Sequence, residues 1–210
     1  DVVVVGAGNA ALSSALAAKD NGAKNILVLE KASQKERGGN SRYTNGAYRF
    51  AYNGFSDLKK IIPSLKNSNS IDYGKYTVSD FLKDMKKVTD GKTDKVLSKI
   101  LTSKSFETVH WLSKKGLKFT PIEGRQSFKV NGVMKYWGGL TLEVNGQGEK
   151  LVDSLLKITK SGSYKSIVPI FKLSSVSGQG LPLFKQFIFH LDPYVNYNEK
   201  KSDKPHFIIE

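Results

Sequence analysis

The 210-residue sequence contains no cysteine, three histidines, two methionines and two tryptophans. Without cysteine there is no disulfide, no thiol nucleophile and no thiolate metal ligand, and cysteine usage says nothing of the redox compartment. His110, His190 and His206 have no partners at ligand spacing, so no metal is expected. No apolar run nears the roughly 18 residues that a membrane-spanning helix needs. Arginine is scarce too: Arg37, Arg42, Arg49 and Arg125 are the only four among 33 basic residues, against 19 acidic ones. The net charge of +14 therefore rests on lysines spread along the whole chain. Nucleic-acid readers cluster their cations and use arginine forks at bases. A solvated lysine-rich surface is the preferred reading, nucleic acid is not an expected partner, and a polyanion-binding basic protein is kept as an alternative.

What remains is ordinary globular material, with 39% hydrophobic and 25% charged residues, enough chain for a real core. The first residue is Asp1, already inside a strand pattern and not a Met. A trimmed or partial N-terminus is expected, with any targeting segment upstream of it. A soluble, cytoplasmic protein is expected.

Residues 2–5, VVVV, suit a parallel strand buried on both faces. From Asn9 to about Asn21 the chain is rich in Ala and Leu, a helix stopped by Gly22. Residues 26–29, ILVL, form a second apolar strand, completing a βαβ opening. Residues 31–56 read as a long functional loop. Helices are expected from about Thr77, with Ser79 as N-cap and Phe81, Leu82, Met85 and Val88 on one face, and over 94–115. The second has Val96, Leu97, Ile100, Leu101, Val109 and Leu112 as its apolar positions and is closed by Gly116. Short strands and turns follow over 117–145, then a helix over 148–160 with Leu151, Val152, Leu155 and Leu156 inward. After about Ser161 no period is clear, and 198–205 reads as exposed or disordered.

Gly6-Ala7-Gly8-Asn9-Ala10-Ala11 fits G-x-G-x-x-G/A. Gly6 makes the tight turn, Gly8 lets backbone approach a pyrophosphate, and Ala11 lets the helix pack closely. The free N–H groups at the helix start then face the phosphates. Glu30 ends the second strand, 19 residues after Ala11, where a carboxylate accepts hydrogen bonds from ribose hydroxyls. An acid at this position disfavours a 2′-phosphate, and so NADP. A Gly-Gly-Asn-Ser segment, Gly38 to Ser41, adds unhindered N–H groups and short polar side chains that suit a pyrophosphate, a ribityl chain or a flavin edge.

Here the sequence resembles flavoproteins of the fumarate reductase/succinate dehydrogenase type, and within them the FAD-dependent tricarballylate dehydrogenase relatives. The resemblance is carried by Glu30-Lys31, Gly38 to Arg42, Thr44 to Ala47 and Arg49-Phe50. It continues in TVHWL at 108–112, GRQSFKV at 124–130, YWGG at 136–139 and GQGEKLVDSLL at 146–156, and ends near residue 157. It implies an α/β fold: a Rossmann-like FAD-binding βαβ unit with an inserted, mostly helical part of a second substrate or capping domain, truncated. The expected parts are 1–56 for the FAD unit and flavin loop, 57–147 for the insertion, and 148–210 for a return helix and divergent tail. FAD is the implied cofactor, held by Gly6, Ala7, Gly8, Asn9, Ala10, Ala11, Glu30, Lys31, Gly38, Gly39, Asn40, Ser41, Thr44 and Gly46. Asn45 stands where relatives often carry Gly, and Asn tolerates the positive φ that such a turn requires.

The implied reaction is hydride transfer at flavin N5 to or from a C–C or C=C bond of a di- or tricarboxylic acid. Arginine forks are the best carboxylate clamps. Arg42 and Arg49 lie in the flavin loop, and Arg125 in the substrate-facing segment is the candidate clamp, with a structural ion pair as its alternative. Arg37 reads as a solvated surface residue. His110 reads as a satisfied helix histidine. Tyr136 and Trp137 either line the flavin site or fill the core. No catalytic acid or base is identified, because relatives are longer and their proton-transfer arginine lies in later segments. A non-catalytic, truncated FAD-binding remnant is the main alternative.

Overall fold

A computed structural model describes residues 1–124, 127–160 and 178–189. Arg125, His190, His206 and the 198–205 stretch lie outside the described residues. Strand β1 (Val2–Val5) leads through the glycine turn into helix α1 (Asn9–Asp20), and β2 (Ile26–Leu29) returns parallel to β1. The register runs from Val2 against Ile26 to Val5 against Leu29. Asn21 caps α1 by returning its N–H to the Ala17 and Ala18 carbonyls. Gly22, at φ +93°, turns the chain out of the helix.

Strand β2 is buried on both faces, and β1 on one. Val2, Val4, Ile26 and Val28 join Leu12, Leu16 and the main core, and Phe184 of helix α6 (Leu181–Phe189) packs on Leu27 and Leu29. Val3 and Val5 are 54% and 81% exposed. The expected burial of β1 on both faces therefore does not hold in this chain. Among the described residues β1 has a neighbour on one side only.

The loop after β2 contains a short 3₁₀ turn at Gly39–Tyr43 and strand β3 (Ala47–Tyr48). Three helices follow: α2 (Phe55–Ile61), α3 (Val78–Val88) and α4 (Lys95–Lys114). Helix α3 is capped by Thr77, not Ser79. The Thr77 hydroxyl accepts from the Asp80 N–H, and the Asp80 carboxylate accepts from the Thr77 N–H, a reciprocal capping box. Phe81 is buried in α3, while Val88 is exposed.

Helix α4 begins where expected, its first N–H groups donating to Asp94. It faces the other way in its first half. Val96, Leu97, Ile100 and Leu101 are exposed, and Ser98, Thr102 and Ser105 are buried with Val109 and Leu112. Small hydroxyl side chains bury there because each finds a partner. Thr102 donates to the Ser98 carbonyl, and Ser105 donates to the Thr102 carbonyl while accepting from the Ala51 N–H. Trp111 donates to Asp20 at 2.7 Å and Lys115 pairs with the same carboxylate, which ties α4 to α1.

Strand β4 (Phe119–Pro121) and β3 both pair antiparallel with β7 (Leu142–Val144), in the order β3-β7-β4. Strands β5 (Ser127–Val130) and β6 (Val133–Tyr136) make a hairpin. Its two loop residues, Asn131 and Gly132, have φ +49° and +80°, the signs that a type I′ turn needs. Helix α5 (Gln147–Lys160) packs on α1, on the 3₁₀ turn and on β7. Its Leu151, Val152, Leu155 and Leu156 are buried as expected.

Candidate functional site

The chain leaves β1 at Gly6, whose φ of +99° suits glycine, and its N–H closes onto the Leu29 carbonyl at 2.6 Å. Gly8 is the N-cap of α1 and brings no side-chain cap. Helices α3 and α4 both satisfy first-turn N–H groups with the side chain of the N-cap residue; α1, capped by a glycine, does not. Asn9 N–H donates to Ser41 Oγ at 2.9 Å, while Gly8, Ala10 and Ala11 have N–H groups with no acceptor among the described residues. Three free donors at the positive end of a helix dipole suit a pyrophosphate.

Glu30, 8% exposed, follows β2 directly. Its Oε2 accepts from Ala7 N–H at 3.0 Å and Gly38 N–H at 3.4 Å, and its Oε1 accepts from Ala32 N–H at 2.9 Å. A carboxylate offers about four acceptor positions, so one remains for a ribose hydroxyl. Glu30 thus joins the glycine turn to the second loop before any nucleotide is considered.

That second loop lies directly over the first. A Cβ on Gly8 would sit 3.3 Å from Ser41 Oγ and 3.4 Å from the Gly38 carbonyl oxygen. Gly38 has φ +103° and leaves room for Val152 of α5. Gly148, in the first turn of α5, packs under the Ser41, Arg42 and Thr44 carbonyls and donates its N–H to Thr44 O at 2.9 Å. Tyr48 in β3 donates its hydroxyl to Asn9 Oδ1 at 2.9 Å. Burial pushes that phenol up to about 12. Neither Gly148 nor Tyr48 stands out as a site residue in the sequence. A glycine opening a helix is a weak signal of close approach, and one tyrosine among nine carries none.

Of the other expected site residues, Lys31, Gly39, Asn40 and Thr44 are exposed along the same loop, and Gly46 is buried against α5. At the Asn45-Gly46 step the positive φ falls on Gly46, at +63°, and not on Asn45, so Asn45 needs no left-handed backbone. Arg37 is not a solvated residue. Its side chain is 17% exposed and pairs with Asp153 of α5 at 3.3 Å. Arg42 pairs with Glu149 at 2.6 Å, and Arg49 donates to the Gly138 carbonyl and lies over the Tyr76 ring. Three of the four arginines thus brace the fold around the loop. Tyr136 is a core residue stacked on Tyr73, whereas Trp137 is exposed and packs on Phe128. His110 is half-buried beside Phe106. An open groove of about 800 Å³ between α1 and α4 contains none of the cradle residues. Among the described residues, no helix is long and apolar enough to cross a membrane and no acidic or histidine cluster could hold a metal.

A parallel βαβ unit, an uncapped helix start behind Gly-x-Gly and a buried acid after the second strand define a dinucleotide-binding protein of α/β class. Residues 1–153 match the family described as FAD binding domain. The chain belongs to that family, and its cofactor is FAD. Over 139 residues it is 31% identical to the fumarate reductase (cytochrome) of Shewanella frigidimarina, covering 66% of this chain and 22% of that protein. A flavocytochrome c3 fumarate reductase in an open conformation matches with TM-score 0.53 at 23% identity, over 81% of this chain and 26% of the other. A 3-ketosteroid-Δ4-(5α)-dehydrogenase from Rhodococcus jostii RHA1 matches with TM-score 0.55 at 17% identity, over 81% and 37%. The chain is thus part of an FAD-dependent oxidoreductase family of fumarate reductase type, and spans about a fifth of the length of the curated relatives it matches.

Proposed function

We propose that this chain holds FAD for an oxidoreductase that moves a hydride to or from a C–C or C=C bond of a di- or tricarboxylic acid. The observation that supports it is a convergence: three free N–H groups at the start of α1, a buried Glu30 with spare acceptor capacity, and the Gly38–Ser41 loop lying over Gly8. In this reading Gly6, Ala7, Gly8, Asn9, Ala10 and Ala11 hold the pyrophosphate. Glu30 takes the adenosine ribose hydroxyls. Lys31, Gly38, Gly39, Asn40, Ser41, Thr44 and Gly46 border the ribityl chain and the flavin. FAD, when bound, supplies a hydride-exchanging N5. The protein's share is to orient the substrate, exclude water and neutralise its carboxylates. Arg125, in the 57–147 segment read as substrate-facing, is the proposed carboxylate clamp. The name of the Shewanella relative supports fumarate as the first acid to try, and the resemblance read in the sequence adds tricarballylate.

The test is reconstitution of the 210-residue chain with FAD, followed by desalting. Retained visible flavin absorbance is the expected result, and its loss in Gly8→Ala locates the site. No retained flavin overturns the reading. Fumarate reduction and tricarballylate oxidation are then assayed with artificial electron carriers. Retained flavin without turnover favours the second reading, an FAD-holding portion that performs no chemistry alone. The exposed Val3 and Val5 of β1 favour that reading, because apolar strand residues open to water mark a unit whose packing is incomplete.

A further inference from the structure

The cradle contains a side chain whose orientation is set from outside the βαβ unit. Asn9 is the first residue of α1, beside the free N–H groups of Ala10 and Ala11. Its backbone N–H donates to Ser41 Oγ, and its Oδ1 accepts from the Tyr48 hydroxyl at 2.9 Å. Its Nδ2 donates to none of the described residues. Tyr48 cannot drift from this position. It is paired with Leu142 across β3 and β7, and its ring meets Phe119 edge-on at 5.5 Å between centroids.

An amide has one acceptor and one donor end. A phenol that donates to Oδ1 turns the NH₂ end away from itself and leaves it two unused N–H bonds. Burial keeps the Tyr48 hydroxyl protonated well past neutral pH, so it remains a donor under all ordinary conditions. A free NH₂ group suits any acceptor, and at the positive end of a helix, beside free backbone N–H groups, the favoured acceptor is an anion.

We propose that Tyr48 is a positioning residue for FAD: it fixes the Asn9 amide with its NH₂ end directed to the pyrophosphate. The proposal rests on the FAD reading and deepens it. It also makes β3 part of the cofactor site, although β3 lies in the second sheet and outside the glycine motif.

Four variants of the 210-residue chain test this (Tyr48→Phe, Asn9→Asp, Asn9→Ala and the Tyr48→Phe, Asn9→Ala double), with dissociation constants for FAD and for ADP read by fluorescence and the unfolding midpoint read without ligand. Tyr48→Phe removes one hydroxyl and should weaken both FAD and ADP about tenfold, the worth of one well-placed hydrogen bond. Asn9→Asp keeps an acceptor for Tyr48 but replaces the NH₂ donor with a negative charge. It should retain the wild-type midpoint, lose more than tenfold in affinity for both ligands, and recover part of that loss in high salt. In the Tyr48→Phe, Asn9→Ala double variant, the loss should be less than the sum of the two single losses, because Tyr48→Phe releases the same donor that Asn9→Ala removes. Asn9→Asp binding FAD like the wild type overturns the proposal. So does a Tyr48→Phe chain with a lowered midpoint and unchanged affinity, which would make the bond purely structural. A wild-type chain that takes neither FAD nor ADP overturns the FAD reading and this proposal together, whereas wild-type uptake with unaffected variants overturns this proposal alone.

Discussion

Gly148 has no room for a methyl group. A Cβ there would stand 2.7 Å from the carbonyl oxygens of both Arg42 and Thr44, and closer still to that of Ser41. These are backbone atoms and cannot rotate aside. Gly148→Ala is expected to cost about 2–3 kcal/mol in urea unfolding and to push the flavin loop off α5. Gly22→Ala is the matched control. Its φ of +93° is strained for alanine, but nothing lies within 4 Å, so it should cost about 1 kcal/mol and leave FAD binding intact. Equal losses of FAD in both variants would contradict the role given to Gly148. The buried phenols make a second residue-scale prediction. Burial raises Tyr48, Tyr76 and Tyr136 each from 10.0 to about 12. Their neutral forms are favoured in the folded state, so the unfolded chain releases these protons first. Stability from these groups is therefore complete below pH 10 and is lost as pH rises toward about 12. Urea midpoints should fall over that window, and Tyr48→Phe should flatten the fall. A midpoint independent of pH there would refute the burial argument.

At the scale of elements, α4 shows how an amphipathic pattern can mislead. Its leucine and isoleucine positions suggest one face, and the fold buries the adjacent stripe of Ser98, Thr102, Ser105, Val109 and Leu112. Short hydroxyl side chains let backbones approach and satisfy their own oxygens within the helix. Ser105 also accepts the buried Ala51 N–H at 2.9 Å. Ser105→Ala would leave that donor unpaired and should cost about 1–3 kcal/mol. Leu101→Lys, on the exposed stripe, should change stability by less than about 0.5 kcal/mol. The opposite order in thermal or urea unfolding would reverse the assignment of faces. Helix α5 carries the other lesson. Its apolar positions read correctly because Leu151, Val152, Leu155 and Leu156 have no competing polar stripe. The braces Arg37–Asp153 and Arg42–Glu149, which join it to the loop, needed the fold to become visible.

At the scale of the whole molecule, one connected core runs from α1 and β2 through α2 and α4 to β7 and α5. The parallel pair β1-β2 stands at its margin with Val3 and Val5 facing water. Among the described residues β1 has one unpaired side, and an apolar strand edge of that kind is a template for pairing with another chain. The 210-residue chain is therefore expected to self-associate at micromolar concentration, and Val5→Lys to reduce this, in sedimentation velocity. A wild-type chain that stays monomeric across that range would show that the β1 face is not adhesive.

The opening of the chain determined its own local structure. Gly6 and Gly22 set turns through backbone freedom, Gly8 leaves room for close approach, the Ala-rich run set α1, and Glu30 follows β2 at a distance fixed by a strand, a helix and a strand. These are short-range effects, complete within about 30 residues, and they led to the nucleotide cradle before any fold was known. The Asn131-Gly132 turn obeys the same backbone rule, but residues 117–145 read only as short strands and turns, and the hairpin became visible in the fold. Which face α4 buries, where the arginines go, and what holds Asn9 and Ser41 in place were settled between segments far apart in the sequence. Tyr48 reaches back 39 residues to Asn9, Ser41 reaches back 32, and Arg42 reaches forward 107 to Glu149. Contacts of that span depend on packing choices made by the whole core, and no local pattern encodes them.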